Sequence, residues 1–176
     1  MSMDVVELLE EMNMLWEQHV YWTRMLLISI AERLKDQDEV AKRLLQNPYD
    51  IAAIYADYYA PDVAKTIAKL LTEHLQIGAN LITALRDGKT AEAEQLKRQW
   101  YMNADKMAEA FSSINPYYQY DDLRRMLYRH LELTTQEVAA RLGVERRSTV
   151  RSKIRLNSGA CPATRHNEIR TAQFAQ

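Results

Sequence analysis

Three histidines interrupt the apolar faces of predicted helices. Among the residues of the chain, their type and spacing are the best suited to binding a metal or a ligand. His19, His74 and His130 each lie in a row of apolar residues spaced three and four apart, the spacing that keeps one face of a helix buried. A buried ring nitrogen needs a hydrogen-bond partner or a ligand, because leaving it unpaired costs about 1–3 kcal/mol. The three histidines therefore predict either a binding site or a hydrogen-bonded network inside the protein.

Four long helices are predicted to position these side chains, over residues 4–34, 62–86, 90–113 and 120–142. In an antiparallel bundle of helices of similar length, the helix midpoints lie at similar heights. The four midpoints fall near residues 19, 74, 101 and 131. We therefore predict a polar layer in the middle of the bundle, formed by His19, His74, Trp100, Asn103 and His130.

This predicted layer has three interpretations. As a metal site, the three histidines would ligate a transition metal and leave a fourth position open, as in reactive zinc centres. As a ligand site, the layer would hold haem or another organic molecule, with Trp100, Asn103 and Arg24 as cofactor-binding residues; Arg24 can alternatively form a surface ion pair. As a purely structural network, the histidines would fix the register of the helices without doing chemistry.

The composition indicates an all-α protein with one folded domain. The 176 residues include only four Gly and four Pro, helix-favouring residues are abundant, and alternating strand patterns are missing. We predict an antiparallel four-helix-type bundle over residues 1–142. A long connection between its first two helices is predicted to contain short helices at 38–45 and 51–58, separated by a stop at Asn47-Pro48. No internal repeat stands out.

Charge and cysteine usage favour a cytoplasmic protein. The amino-terminal residues are acidic and lack a basic segment followed by an apolar run, so no secretory signal is expected. No apolar run is long enough for a membrane span, and the one cysteine, Cys161, suits a reducing compartment. Residues 143–176 contain seven Lys or Arg against two Glu. We expect a small ligand or a metal as partner, leave self-association open, and expect neither nucleic acid nor a membrane.

Sequence signatures of known catalytic sites are missing. There is no glycine-rich phosphate loop and no cysteine or serine in an activating setting. Di-iron bundles use Glu-x-x-His pairs, whereas Glu17 and His19 are two residues apart and Glu73 is adjacent to His74. Neither pair therefore shares a helix face. The sequence leaves open whether the protein is an enzyme.

Several segments resemble a family of small helical-bundle proteins of spore-forming Gram-positive bacteria. The resemblance is carried by LWEQHVYWTR, RLLQNPYDIA, LLTEHLQIGANLITALRDG, QWYMNADKMAEAFSSINPYY and MLYRHLELTTQEVAARL. Members are often labelled acetylglutamate kinase, a label that we take to be wrong, because such kinases are larger α/β proteins with glycine-rich phosphate loops. The resemblance covers about residues 14–142 and implies a helical bundle of no established activity. The five residues of the predicted polar layer lie inside its motifs.

The last part of the chain departs from that family. Members continue into another acidic amphipathic helix, whereas residues 143–176 are basic and lack a sustained apolar stripe, which favours an atypical or poorly ordered tail. One hypothesis is a shifted reading frame across about 144–172. The alternative is a DNA-binding helix-turn-helix at 133–155, with residues 148–155 as recognition helix. Two features count against this alternative. The predicted turn is one residue longer than is usual for that motif, and residues 133–142 are also assigned to the last helix of the bundle.

Overall fold

The computed structural model describes residues 5–143, which form five α-helices and no strand. The helices are α1 (Val5–Glu32), α2 (Gln37–Ala56), α3 (Pro61–Arg86), α4 (Thr90–Ile114) and α5 (Tyr120–Arg141). The all-α prediction is confirmed for this part of the chain. Within it, no helix is both long enough and apolar enough to cross a membrane. The hypotheses about the basic tail, the shifted frame at 144–172 and the recognition helix at 148–155 lie outside the described residues.

The helices pack as two hairpins and a fifth helix. α1 pairs with α2, α3 pairs with α4, and the hairpins meet where α3 packs against both α2 and α1. α5 packs on α4 and touches α1 more lightly. The turn between α3 and α4 contains Gly88 at a φ of 71°, a left-handed conformation that glycine adopts without strain. Short turns of this kind make the helices of each hairpin antiparallel neighbours.

The connection after α1 is one continuous helix, α2, which corrects the prediction of two short helices separated at Asn47-Pro48. Pro48 lies inside α2, where proline removes a backbone hydrogen bond and costs about 3 kcal/mol or more. Burial outweighs this cost, because Val40, Leu44 and Ile51 are each at most 6% exposed and burying each such side chain contributes about 1.5–3 kcal/mol. Within residues 5–143 the bundle therefore has five helices, and α2 contributes to its core.

The apolar core consists of three clusters, and the polar layer lies between two of them. The third cluster joins the end of α3, α4 and Leu131 of α5, and it includes Trp100. Of the other two, the first is formed by the first halves of α1 and α3 with the second halves of α2 and α4. The second is formed by the second halves of α1 and α3 with the first half of α2 and part of α5. Leu15 and Leu71 belong to the first cluster, and Leu75 belongs to the second. His19 and His74 therefore lie at the boundary between the two.

Candidate functional site

A cavity in the middle of the bundle brings together most of the predicted polar layer. Its polar and aromatic walls are formed by His19, Thr23, His74, Trp100, His130 and Thr134. Its other lining residues are aliphatic, apart from one glycine. The space open to the centre of a water molecule is about 30 Å³, enough for roughly two water-sized positions. In so apolar a space, the few polar atoms of the walls decide what the cavity can hold.

His19 is anchored by an asparagine of α2. Its Nδ1 lies 2.9 Å from Oδ1 of Asn47, and Nδ2 of the same asparagine donates to the carbonyl oxygen of Leu15 at 2.8 Å. Asn47 is 0% exposed and His19 is 6% exposed. One buried asparagine side chain therefore ties the ring of His19 to the backbone of α1 one turn before it.

His74 has the same arrangement in the second hairpin. Its Nδ1 lies 2.9 Å from Oδ1 of Asn103 on α4, and Nδ2 of Asn103 donates to the carbonyl oxygen of Leu70 at 3.1 Å. Leu70 precedes His74 by four residues, as Leu15 precedes His19. Each hairpin thus contains one copy of a unit that consists of a histidine, an asparagine from the next helix and a carbonyl oxygen.

The asparagine contacts fix the position of the proton on each ring. A backbone carbonyl only accepts hydrogen bonds, so the amide nitrogen of each asparagine must face the carbonyl and the amide oxygen must face the histidine. Because the amide oxygen also only accepts, Nδ1 of His19 and Nδ1 of His74 must donate. Within residues 5–143, the hydrogen bonds of both rings are made through Nδ1. In a neutral ring of this tautomer, the lone pair lies on Nε2.

Burial keeps both rings neutral. The pKa of His74 is lowered to about 3, first by burial and then by charge repulsion from His130, with a further lowering from His19. The hydrogen bond to Asn103 opposes this shift. Burial also lowers the pKa of His19, against the opposing hydrogen bond to Asn47. At physiological pH the two imidazoles are therefore neutral, and each has an Nε2 that can accept a hydrogen bond.

Trp100 and His130 complete an aromatic wall around His74. Nε1 of Trp100 donates to the carbonyl oxygen of His74 at 3.0 Å, and the two ring centroids are 5.3 Å apart. The ring of His130 stacks on that of His74 with 5.9 Å between centroids. A Cβ atom at Gly78 would lie 3.2 Å from Cζ2 of Trp100. Glycine at this position therefore allows the indole to approach α3 closely.

The geometry does not support the predicted metal site at His19, His74 and His130. In the described part of the chain, no group of three or more His, Cys, Asp or Glu side chains is placed to hold a metal ion. The nitrogens of ligating histidines must converge on one point about 2.0–2.1 Å away, and such a group is not found among the described residues.

The cavity is also too small for the predicted haem. A space with roughly two water-sized positions cannot admit a porphyrin ring. Of the residues predicted to bind a cofactor, Trp100 lines the cavity. Asn103 does not line it, and instead accepts a hydrogen bond from Nδ1 of His74. The cavity in this structure is therefore suited to a ligand of a few atoms.

Arg24, the third residue predicted to bind a cofactor, lies on the surface. Its NH1 is 2.7 Å from Oε1 of Glu137, and the two side chains are 63% and 41% exposed. Arg24 is not among the residues that line the cavity. The structure therefore places it in the surface ion pair that was the alternative to cofactor binding.

Sequence reasoning missed the role of Asn47. The sequence pattern around it predicts a helix stop, because Pro48 follows. The signal that identifies it is the repeated spacing, since His19 and Asn47 are 28 residues apart and His74 and Asn103 are 29 apart. Comparison of these two spacings would have placed Asn47 beside His19.

Comparison with known proteins does not assign the chain to a family. No protein-family model, no curated protein and no solved structure matches it significantly. The resemblance to a family of bacterial helical bundles therefore stays a prediction. The function must be argued from the cavity itself.

Proposed function

We propose that this is a cytoplasmic ligand-binding protein that holds a small, uncharged, hydrogen-bond-donating molecule in the histidine cavity. One observation carries the proposal: two neutral imidazoles, His19 and His74, line the same cavity, and the asparagines engage only their Nδ1 atoms. A buried acceptor without a partner costs about 1–3 kcal/mol, so each Nε2 favours an occupant that donates to it. A charged ligand is disfavoured, because the mainly apolar walls do not replace its hydration.

The repetition of the unit supports ligand binding over a purely structural network. A pair of apolar residues in place of each histidine and asparagine would fill the same space without burying polar groups, and such replacements are often neutral or stabilising. Both hairpins instead hold a histidine in one tautomer, and among residues 5–143 Nε2 of each ring makes no hydrogen bond. A network that only fixed helix register would not need the same free nitrogen twice.

Small hydrogen-bond donors are expected to enter the cavity. We expect methanol and formamide, titrated separately into ¹⁵N-labelled protein, to shift the Nε2 resonance of His19 or His74 in a saturable way. The double variant His19→Leu, His74→Leu should show no saturable binding with either molecule. The surface variant Arg24→Gln should behave as the unmodified protein, because Arg24 lies outside the cavity.

Two results would contradict this proposal. The first is the absence of saturable binding for both methanol and formamide in the folded, unmodified protein. The second is a stoichiometric transition metal in the purified protein, detected by elemental analysis before any chelator is added. The second result would replace the small uncharged ligand with a metal centre.

A further inference from the structure

The repeated units place two equivalent hydrogen-bond acceptors at one cavity. His19 and His74 occupy the same position in their hairpins, and both line the cavity. They are close enough for a charge on His19 to lower the pKa of His74. The cavity has only roughly two water-sized positions. Both rings therefore border the space that a single small ligand would occupy.

The two hairpins differ four residues after each histidine, where the first has Thr23 and the second has Gly78. Both residues line the cavity. Oγ1 of Thr23 is buried and makes no hydrogen bond among the described residues. The other threonine of the cavity, Thr134, already donates to the carbonyl oxygen of His130 at 2.9 Å. Thr23 is therefore the threonine whose hydroxyl hydrogen is available to an occupant of the cavity.

Two acceptors and one donor complement a primary carboxamide group. Building on the proposed function, we propose that this group is what the cavity recognises: its two N–H hydrogens donate to Nε2 of His19 and Nε2 of His74, and its carbonyl oxygen accepts from Thr23. The group is uncharged, as the apolar walls require, and a molecule as small as formamide matches the free space of about 30 Å³. A carboxylate has no hydrogen to donate to either ring and carries a charge.

The comparison of formamide with methanol tests this proposal, because methanol offers a single donor. In ¹⁵N-labelled full-length protein, we expect formamide to move the Nε2 resonances of both His19 and His74. We expect it to bind about five-fold more tightly than methanol, because methanol can donate to one ring and accept from Thr23 and so makes one hydrogen bond fewer, worth about 1 kcal/mol.

Two matched variants test the part of Thr23. Thr23→Val keeps the shape of the side chain and removes the hydroxyl, so formamide binding should weaken about five-fold. Thr134→Val makes the same change at the threonine whose hydroxyl is already bonded to a carbonyl, so formamide affinity should change less than two-fold.

The outcomes separate this inference from the proposed function. If neither methanol nor formamide binds, both are wrong. If methanol binds as tightly as formamide, or formamide moves only one histidine, the cavity binds small donors but does not recognise a carboxamide. Equal effects of Thr23→Val and Thr134→Val on formamide affinity would exclude the hydrogen bond to Thr23.

Discussion

Replacing Asn47 with leucine is expected to lower the free energy of unfolding by about 2–4 kcal/mol. The substitution removes two buried hydrogen bonds, one to His19 and one to the carbonyl oxygen of Leu15. It also leaves Nδ1–H of His19 buried without an acceptor, which carries the larger share of the cost. The carbonyl of Leu15 still takes part in the helical hydrogen bonding of α1. Urea unfolding at neutral pH measures the change.

A double-mutant cycle with His19→Leu separates the hydrogen-bonded pair from general packing. When both polar partners are replaced by apolar groups, no buried donor is left unsatisfied, so the double variant should be more stable than Asn47→Leu alone. The coupling energy is expected to be about 1–3 kcal/mol. The cycle of Asn103→Leu with His74→Leu should give a coupling energy of similar size, because the second hairpin contains the same hydrogen-bonded unit. Additive effects of the two substitutions would show that the pair does not act as a unit.

Mild acid is expected to destabilise the protein through His74. The pKa of this histidine is about 3 in the folded protein and about 6.5 in the unfolded chain. Below pH 6.5 the unfolded chain binds a proton that the folded protein excludes, so stability is full above pH 6.5 and falls as the pH decreases. The slope approaches about 1.4 kcal/mol per pH unit well below pH 6.5, and the loss between pH 6.5 and 4.5 is roughly 2.3 kcal/mol. His19, whose pKa is also lowered, adds to the loss.

Urea unfolding at a series of pH values measures this loss, and His74→Leu is the matched control. The variant has no imidazole at this position, so the slope between pH 6.5 and 4.5 should be smaller than in the unmodified protein. Asp87 has a pKa of about 2 in the folded protein. It therefore changes the free energy of unfolding mainly below about pH 4 and contributes little to the slope between pH 6.5 and 4.5. A stability that stays flat from pH 6.5 to 4.5 would mean that His74 is protonated in the folded protein.

Most of the fold was predictable because strong local signals mark the helix boundaries. Pro61 begins α3, Gly88 follows it, and Asn115-Pro116 ends α4, so the predicted helices at 62–86, 90–113 and 120–142 agree closely with α3, α4 and α5. The helix α2 was not predictable in this way. Its local signal, Pro48, favours a break, and only burial against α1 and α3 makes the continuous helix more stable.

The candidate site was predictable in its position and not in its chemistry. Helix midpoints identified His19, His74, Trp100 and His130 as members of one layer, because helix length and antiparallel packing fix their heights. The direction of each lone pair depends on side-chain torsions and on partners such as Asn47, which lies 28 residues from its histidine. Sequence spacing contains neither quantity. For this reason the sequence left a metal site, an organic-ligand site and a structural network open, whereas the structure shows which nitrogen of each ring is bonded to an asparagine.

The proton positions on the two buried histidines test the central claim most directly. Long-range ¹H–¹⁵N NMR correlations of the side chains of His19 and His74 distinguish protonated from unprotonated ring nitrogens. Between pH 7 and 8 we predict a protonated Nδ1 and an unprotonated Nε2 in both rings, as the hydrogen bonds to Asn47 and Asn103 require. A proton on Nε2 of either ring, as the other tautomer or as imidazolium, would contradict the account, because the cavity would then offer a donor where the proposed ligand needs an acceptor.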